Sequence, residues 1–485
     1  MIADEILNKY EMTIGVECHV QLATATKLFS GADNDARDKS PNSVVTPIDF
    51  GLPGMLPVLN REAVNLAIKA GKALNAPIAH ISRFDRKHYF YPDLPKGYQT
   101  TQMYNPIILA GYIDAPLDDG TSVRVRIHHA HMEEDAGKLT HYGDYSLVDL
   151  NRAGTPLIEI VSEPDIHSAA EAKAYATELH HLMTYAGVTR GDLYHGNMRF
   201  DVNVSVALKG ATELGTRAEV KNLNSFRSVE RAAEYEFRRQ VAVIEKGEKV
   251  VQETRGWDDA KQTTSSQRSK EDAQDYRYMP DADIPPIVLT DEEISAIQST
   301  VPMLPPEYRT KWESLQLDSS VVNTILNNAP VAVVLDAIND RFDADVTKRV
   351  FNWFSSTSAD EIDISAVESG LVGPLRLSEL SQMVGDNKLS STGAKEIFLA
   401  LFSEANTGKM PEDIAREKNL IQESDEGAIA AIVEEVLADP SSAKAIEDIK
   451  NGNDKVIGFL VGQVMKKSQG KANPALAQKL IRDRL

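Results

Sequence analysis

The chain has 485 residues, 42% of them hydrophobic and 26% charged, with one cysteine and a formal net charge of −20. At roughly 100–200 residues per domain this length holds two to four domains, and the composition is that of a globular protein with a sizeable core. The lone Cys18 excludes a disulfide framework and a cysteine-clustered zinc site. No apolar run approaches the ~20 residues that span a bilayer, and residues 1–11 lack the apolar stretch of a signal peptide. The expected compartment is the cytoplasm, with no membrane partner.

Residues 12–22 alternate: Ile14, Val16, Cys18, Val20 and Leu22 face one way, and Thr13, Gly15, Glu17, His19 and Gln21 the other, as in a half-buried strand. A second alternating stretch, 123–130, runs into His131, Glu133, Glu134 and Asp135, and Glu159 lies inside the aliphatic run 157–161. A helix is expected from about Ser168 to Ala186, stopped by Gly187. Strand 198–206 sets Phe200, Val202, Val204 and Val206 against Arg199, Asp201, Asn203 and Ser205, and strand 216–221 puts Arg217, Glu219 and Lys221 on one face. The pattern of Phe226, Val229, Ala233, Phe237 and Val241 predicts a helix over 224–246, capped by Asn224 or Ser225. Near residue 290 the character changes, with Pro280, Pro285, Pro286, Pro302, Pro305 and Pro306 in a linker-like stretch. Beyond it, short amphipathic helices are expected at 306–315, 320–327, 344–355, 376–385 and 391–404. Four more follow from 411, the last opened by Asn473 and Pro474. The expected fold is α+β: a strand-rich body over 1–292, a helical region over 293–410 and a helical tail over 411–485.

No phosphate cradle of a familiar kind is present. Four Gly-Lys pairs occur, but none has a glycine five residues earlier, so there is no P-loop. Instead, polar residues stand where strands would favour apolar ones. Glu17 and His19 are neighbours on one strand face. Glu159, flanked by large aliphatics, is costly to bury unless it is paired or on a metal. Many carboxylates with an imidazole and no thiolate cluster suit a hard cation such as Mg²⁺, and basic neighbours (Lys87, Arg199, Lys221) add what phosphoryl transfer requires. Alternation alone leaves the other readings open: an exposed polar face at Glu17 and His19, a solvated acidic turn at 133–135, and plain surface charge at Arg217, Glu219 and Lys221. The charge is also unevenly spread. From 450 to 485 there are eight basic and two acidic residues, a local net of +6 that suits a polyanion.

Longer motifs carry a resemblance. Gly15-Val-Glu-Cys-His-Val-Gln-Leu22, Phe84-Asp-Arg-Lys-His-Tyr-Phe-Tyr-Pro-Asp93, His131-Met-Glu-Glu-Asp-Ala-Gly-Lys138 and the run 145–165 come first. Lys221-Asn-Leu-Asn-Ser-Phe226, Gln252-Glu-Thr-Arg255, Asp275-Tyr-Arg-Tyr-Met-Pro280 and Gly458-Phe-Leu-Val-Gly-Gln-Val-Met465 follow in order. Together they resemble the B subunits of tRNA-dependent aspartyl/glutamyl amidotransferases over nearly the whole chain. The resemblance implies ATP-dependent amidation of misacylated Asp-tRNA(Asn) or Glu-tRNA(Gln) through an acyl phosphate. Mg²⁺ would assist, and ammonia would come from a glutaminase A subunit in a heterotrimer with a small C subunit. It implies a catalytic cradle with a glutamine synthetase-like antiparallel sheet, and a helical tail that holds the tRNA. Carried onto this sequence, Glu17, His19, Glu134 and Glu159 would hold metal, with Glu134, Glu159 and Lys87 catalytic. Lys87, Glu133, Arg199, Asp201, Arg217, Glu219 and Lys221 would meet nucleotide or substrate, and Lys466, Lys467, Lys471, Lys479 and Arg482 would meet tRNA. The sequence departs from the family pattern at Phe200, Met279 and Asp281-Ala282. Two other functions stay open: a non-catalytic tRNA-binding adaptor, and a free-standing metal hydrolase.

Overall fold

The computed structural model describes residues 3–269, 275–422, 426–450, 453–468 and 472–485. The chain divides into two compact units, Met1–Glu307 and Tyr308–Leu485. The first is α+β. Its strands are β1 (Tyr10–Gln21), β2 (Ile81–Ser82), β3 (Asp85–His88), β4 (Tyr98–Thr101), β5 (Gly111–Pro116), β6 (Ser122–Glu134), β7 (Lys138–Tyr142) and β8 (Tyr145–Asp149). They continue with β9 (Pro156–Ser162), β10 (Met198–Leu208), β11 (Ala218–Leu223), β12 (Glu253–Asp258), β13 (Thr263–Ser269), β14 (Met279–Pro280) and β15 (Ile287–Val288).

Eight of these form one sheet in the order β13-β12-β11-β10-β1-β9-β6-β5. The sheet is antiparallel except where β11 runs parallel to β12. Its centre is β1, whose alternation is the one expected: Ile14, Cys18 and Val20 are completely buried and Glu17 and His19 half-buried. The buried face is covered by two helices, Ala169–Tyr185 and Phe226–Glu245. Each starts on a serine in extended conformation, Ser168 accepting from the Glu171 N–H and Ser225 from the Ser228 N–H. Ser225 is thus the cap, and Asn224 is exposed. With helices on one side, the polar alternates of β10, β1, β9 and β6 are left on the other.

Register fixes which of those alternates meet. Across β1, Glu17 lies opposite Asp201 of β10, and His19 lies between Arg199 of β10 and Glu159 of β9. On β6 the pairing with β9 slips between Ile127 and His129. Before this bulge the odd residues Val125 and Ile127 are buried; after it the buried apolar residues are Ala130 and Met132. The extra residue reverses the phase, so His129, His131 and Glu133 turn to the polar face. A three-stranded sheet, β14-β3-β4, packs beside the end of β6. The hairpin β7–β8 pairs only with itself among the described residues.

The second unit is helical among its described residues. Helices Ser319–Leu326, Ala344–Ser355, Pro374–Gly385 and Ser391–Ala400 lie where periodicity places them, within a few residues. Helix Ala329–Asn339 was not legible, and carries Pro330 in its first turn, where the missing N–H has no partner to lose. Among the described residues five helices, not four, run from residue 411 onward. The last four share a core of their own that includes Val433, Leu460, Val464, Leu480 and Ile481, whereas Pro411–Glu417 packs on Pro374–Gly385 and Ser391–Ala400. In the stretch read as linker, Thr290 and Glu293 form a reciprocal capping box that opens helix Asp291–Gln298.

The cap assignment gives a direct check. Ser225→Ala should lower unfolding stability by about 1 kcal/mol, and Asn224→Ala by less than about 0.5 kcal/mol, both read from urea midpoints at unchanged slope.

Candidate functional site

Three strands bring three ligand-type side chains to one point on the polar face. His19 Nε2 (β1) lies 3.4 Å from Glu133 Oε1 (β6) and 3.8 Å from Glu159 Oε2 (β9). One ligand atom from each residue lies within 4.8 Å of the others, and among the described residues this is the one such group. Behind it, His131 Nε2 is 3.3 Å from the same Glu159 oxygen and 3.9 Å from Glu133 Oε2. The His131 ring stacks on His129, with 3.2 Å between their facing nitrogens.

The electrostatics separate the two carboxylates. Burial alone would raise Glu159, but the hydrogen bond and charge of His131, then His19 and Lys87, hold it down at about 2. His131 is raised in turn, burial being outweighed by Glu159. Glu133, 4% exposed, is raised, first by burial and then by the Glu159 charge, against His19, His131 and Lys87. Two carboxylates and an imidazole nitrogen converge on a space with a surplus of negative charge. That donor set fits one hard divalent cation.

The other expected residues fall in distinct places. Glu17 is on the same face but one step along β1. It accepts from Asn203 Nδ2 at 3.2 Å, and burial, then Glu159, Glu219 and Asp201, raise its carboxyl. Asp201 accepts from Lys221 Nζ at 2.8 Å, and Lys221 is 3.3 Å from Glu219. This quartet adjoins the trio without entering it. Arg199 donates to Asp135 at 3.1 Å, a carboxylate it shares with Arg152 at 3.2 Å. Arg217 is exposed, one residue ahead of β11. Lys87 on β3 sits 4.9 Å from the centre of the Tyr276 ring and acts on Glu133 and Glu159. No salt bridge ties it among the described residues.

Glu134 is the largest displacement. Strand alternation turns it away from Glu133, to the side where it pairs with Lys96 and accepts the Thr100 N–H at 3.0 Å. Lys96 was not singled out from sequence, and His131 was noted with the 131–135 cluster but not placed among the site residues. His131 was legible in principle, since it stands two residues before Glu133 and shares its face. Phe200 points to the helix side, against Phe226, and Asp281 clamps Arg86 at 2.9 Å. Neither departure touches the trio.

In the second unit Lys466, Lys467, Lys479 and Arg482 are exposed on the last two helices. Lys467 is 3.1 Å from Glu435 and Arg482 3.2 Å from Asp454. Lys471 lies outside the described residues.

An α+β body with a three-strand metal-type centre, joined to a helical unit, defines the class. Residues 12–295 match the family described as GatB/GatE catalytic domain, and 335–485 match the GatB domain. Relatives named as the B subunit of an aspartyl/glutamyl-tRNA(Asn/Gln) amidotransferase match end to end. That of Persephonella marina is 44% identical over 98% of this chain and 100% of its own length. That of Alkalilimnicola ehrlichii is 45% identical over 98% and 99%. The chain belongs to this family of amidotransferase B subunits.

Glu133 supplies a test of the centre. Its pKa is raised on folding, chiefly by burial, so ionising it costs stability at neutral pH, a cost that shrinks as pH falls through the folded value and is gone below the unfolded one. Glu133→Gln should therefore raise the melting temperature at pH 7 in chelator. Added Mg²⁺ should raise that of the wild type and leave the variant's unchanged. Glu134→Gln should keep the Mg²⁺ response.

Proposed function

We propose that this protein is the ATP-using, tRNA-facing subunit that amidates misacylated Asp-tRNA(Asn), Glu-tRNA(Gln) or both. A glutaminase A subunit would supply ammonia and a small C subunit would complete the heterotrimer, acting in the cytoplasm. The observation that carries the reading is the trio His19, Glu133 and Glu159 gathered beside Lys87. The relatives' names state the tRNA-dependent amidotransferase activity for those proteins. No helix among the described residues is long and apolar enough to cross a membrane.

A carboxylate resists attack by ammonia because oxide is a poor leaving group. In the proposed reaction a side-chain carboxylate oxygen of the aminoacyl group attacks the γ-phosphorus of ATP, the bond to ADP breaks, and an acyl phosphate forms. Ammonia then adds at the acyl carbon, inorganic phosphate leaves, and the surplus proton passes to a base. His19, Glu133 and Glu159 would hold Mg²⁺, which when bound offsets the charge of phosphates meeting a carboxylate. Glu159 stays ionised because His131 and His19 face it, and is ready as a ligand at neutral pH. Lys87, held against aromatic rings, offers a cation to phosphate oxygens. Arg199 and Lys221, paired with Asp135 and Asp201, orient neighbours. Glu134, turned away with Lys96, has no role in this step.

Glu159→Gln should abolish tRNA-dependent release of phosphate from ATP, by at least about 100-fold, while tRNA binding stays within about twofold. Unchanged turnover would favour a non-catalytic adaptor. For the tail, Lys466→Ala with Lys479→Ala should lower the slope of log affinity against log salt by about two. An unchanged slope would remove those lysines from the tRNA contact.

A further inference from the structure

Three histidines run in a row from the surface to the trio. His128 Nδ1 lies 2.6 Å from His129 Nδ1, His129 Nε2 lies 3.2 Å from His131 Nδ1, and His131 Nε2 lies 3.3 Å from Glu159 Oε2. His128 is exposed, His129 half-buried and His131 buried, so the line of nitrogens leads from solvent to Glu159. Both contacts between rings are aimed. The ring centres of His128 and His129 are 4.9 Å apart and those of His129 and His131 5.2 Å. With nitrogens this close, ring centres stand that far apart only when the nitrogens point at one another.

The backbone is bent to make the row. Consecutive residues of a regular strand point to opposite faces, so His128 and His129 should not meet. They meet because the bulge of β6 falls between Ile127 and His129, which makes His128 the extra residue. An extra residue gives up its place in the ladder, and the effect is to re-aim side chains.

The inner end of the row fixes its hydrogen bonds. An ionised carboxylate only accepts, so His131 Nε2 carries a proton and donates it to Glu159. Two facing imidazole nitrogens need one proton between them: with none their lone pairs repel, and with two their hydrogens clash. When His131 is neutral, its Nδ1 accepts from His129 Nε2, and His129 Nδ1 accepts from His128 Nδ1. When His131 is charged, those two bonds reverse direction and the Nε2–H stays on Glu159. Burial, then His131 and His128, hold the His129 pKa down at about 4, so the middle ring is neutral in both cases. The row therefore serves either form of His131 without moving a ring, and the contact to Glu159 is constant.

We propose that His128, His129 and His131 are positioning residues for the cation site: the row fixes the His131 ring and, through it, the orientation in which Glu159 meets a divalent cation. This rests on the cation site proposed above and adds what aims one of its ligands. Glu159 is half-buried and long enough to adopt several orientations. Unheld, it would have to be ordered by the cation itself, and the affinity would fall by that cost.

The test is the melting temperature of the full chain, without nucleotide, titrated out of chelator with Mg²⁺ alone. Wild type should show a saturable rise. His129→Leu should raise the Mg²⁺ midpoint about tenfold, the size of effect that follows loss of a ligand's outer partner. His129→Gln, whose amide offers a donor and an acceptor, should restore most of the affinity. His128→Leu, at an exposed position, should shift the midpoint the same way by less than about tenfold. In tRNA-dependent phosphate release, His129→Leu should need about tenfold more Mg²⁺ for half-maximal rate and reach a kcat within about twofold of wild type. A merely structural row would lower the melting temperature in chelator and leave the Mg²⁺ midpoint in place. That outcome in His129→Leu overturns the proposal, and should this variant fail to fold, His128→Leu decides by the same criterion. A wild type whose melting temperature ignores Mg²⁺ removes the cation site itself, and is told apart because no variant is needed to see it.

Discussion

The structure depends on two carboxylates that a sheet interior should not tolerate. Glu133 and Glu159 are carried on strands whose other faces are apolar and packed under helices; Glu133 is buried and Glu159 half-buried. What makes Glu159 acceptable is imidazole on both sides, His19 from β1 and His131 from β6, at 3.8 and 3.3 Å. Glu133 is more deeply buried, and its pKa is raised first by that burial and then by the Glu159 charge, against His19, His131 and Lys87. A site held short of one positive charge is preorganised for a cation, because the cost of gathering the carboxylates is met by the fold before any ion arrives.

That centre exists only in one register. A one-residue slip of β1 against β9 would carry His19 to the helix side and place Val20 or Cys18 opposite Glu159. The bulge in β6 is equally necessary. Without it, regular alternation from Val125 would send His131 and Glu133 into the helix-covered layer and bring Glu134 to the polar face. The apolar residues of β1, all at or near full burial, are what hold the register; the chemistry on one face is positioned by the packing of the other.

These points explain how much the sequence disclosed. The α+β class, β1 with its two faces, both helices over the sheet and the basic end of the chain were legible because each rests on local periodicity or local composition. His19 and Glu159 were legible for the same reason. The choice between Glu133 and Glu134 was not, since it turns on a bulge created by pairing with β9, a partner over twenty residues away in sequence. Glu17 shows the opposite failure: it shares the face of His19, yet its nearest groups are Asn203 and the Asp201–Lys221–Glu219 cluster, fixed by β10 and β11. The helix at Ala329–Asn339 was not expected; Pro330 sits in its first turn, where a proline is tolerated.

The net charge of −20 has to be reconciled with substrates that are themselves polyanions. At physiological ionic strength the screening length is about 8 Å, so charge at the far side of either unit is nearly invisible at a binding surface. Under the function proposed above, what a phosphate would meet is local: the guanidiniums of Arg37 and Arg190 around Asp35, the ammonium of Lys87, and the exposed lysines of the last two helices. Several of these cations already lean on acidic partners, Arg37 and Arg190 on Asp35, Lys467 on Glu435, Arg482 on Asp454. Such pairs are worth little at an exposed surface, so exchanging a carboxylate for a phosphate costs little and is reversible. The acidic remainder discourages adventitious nucleic acid over most of the surface, which is compatible with the function proposed above only because the cations are local.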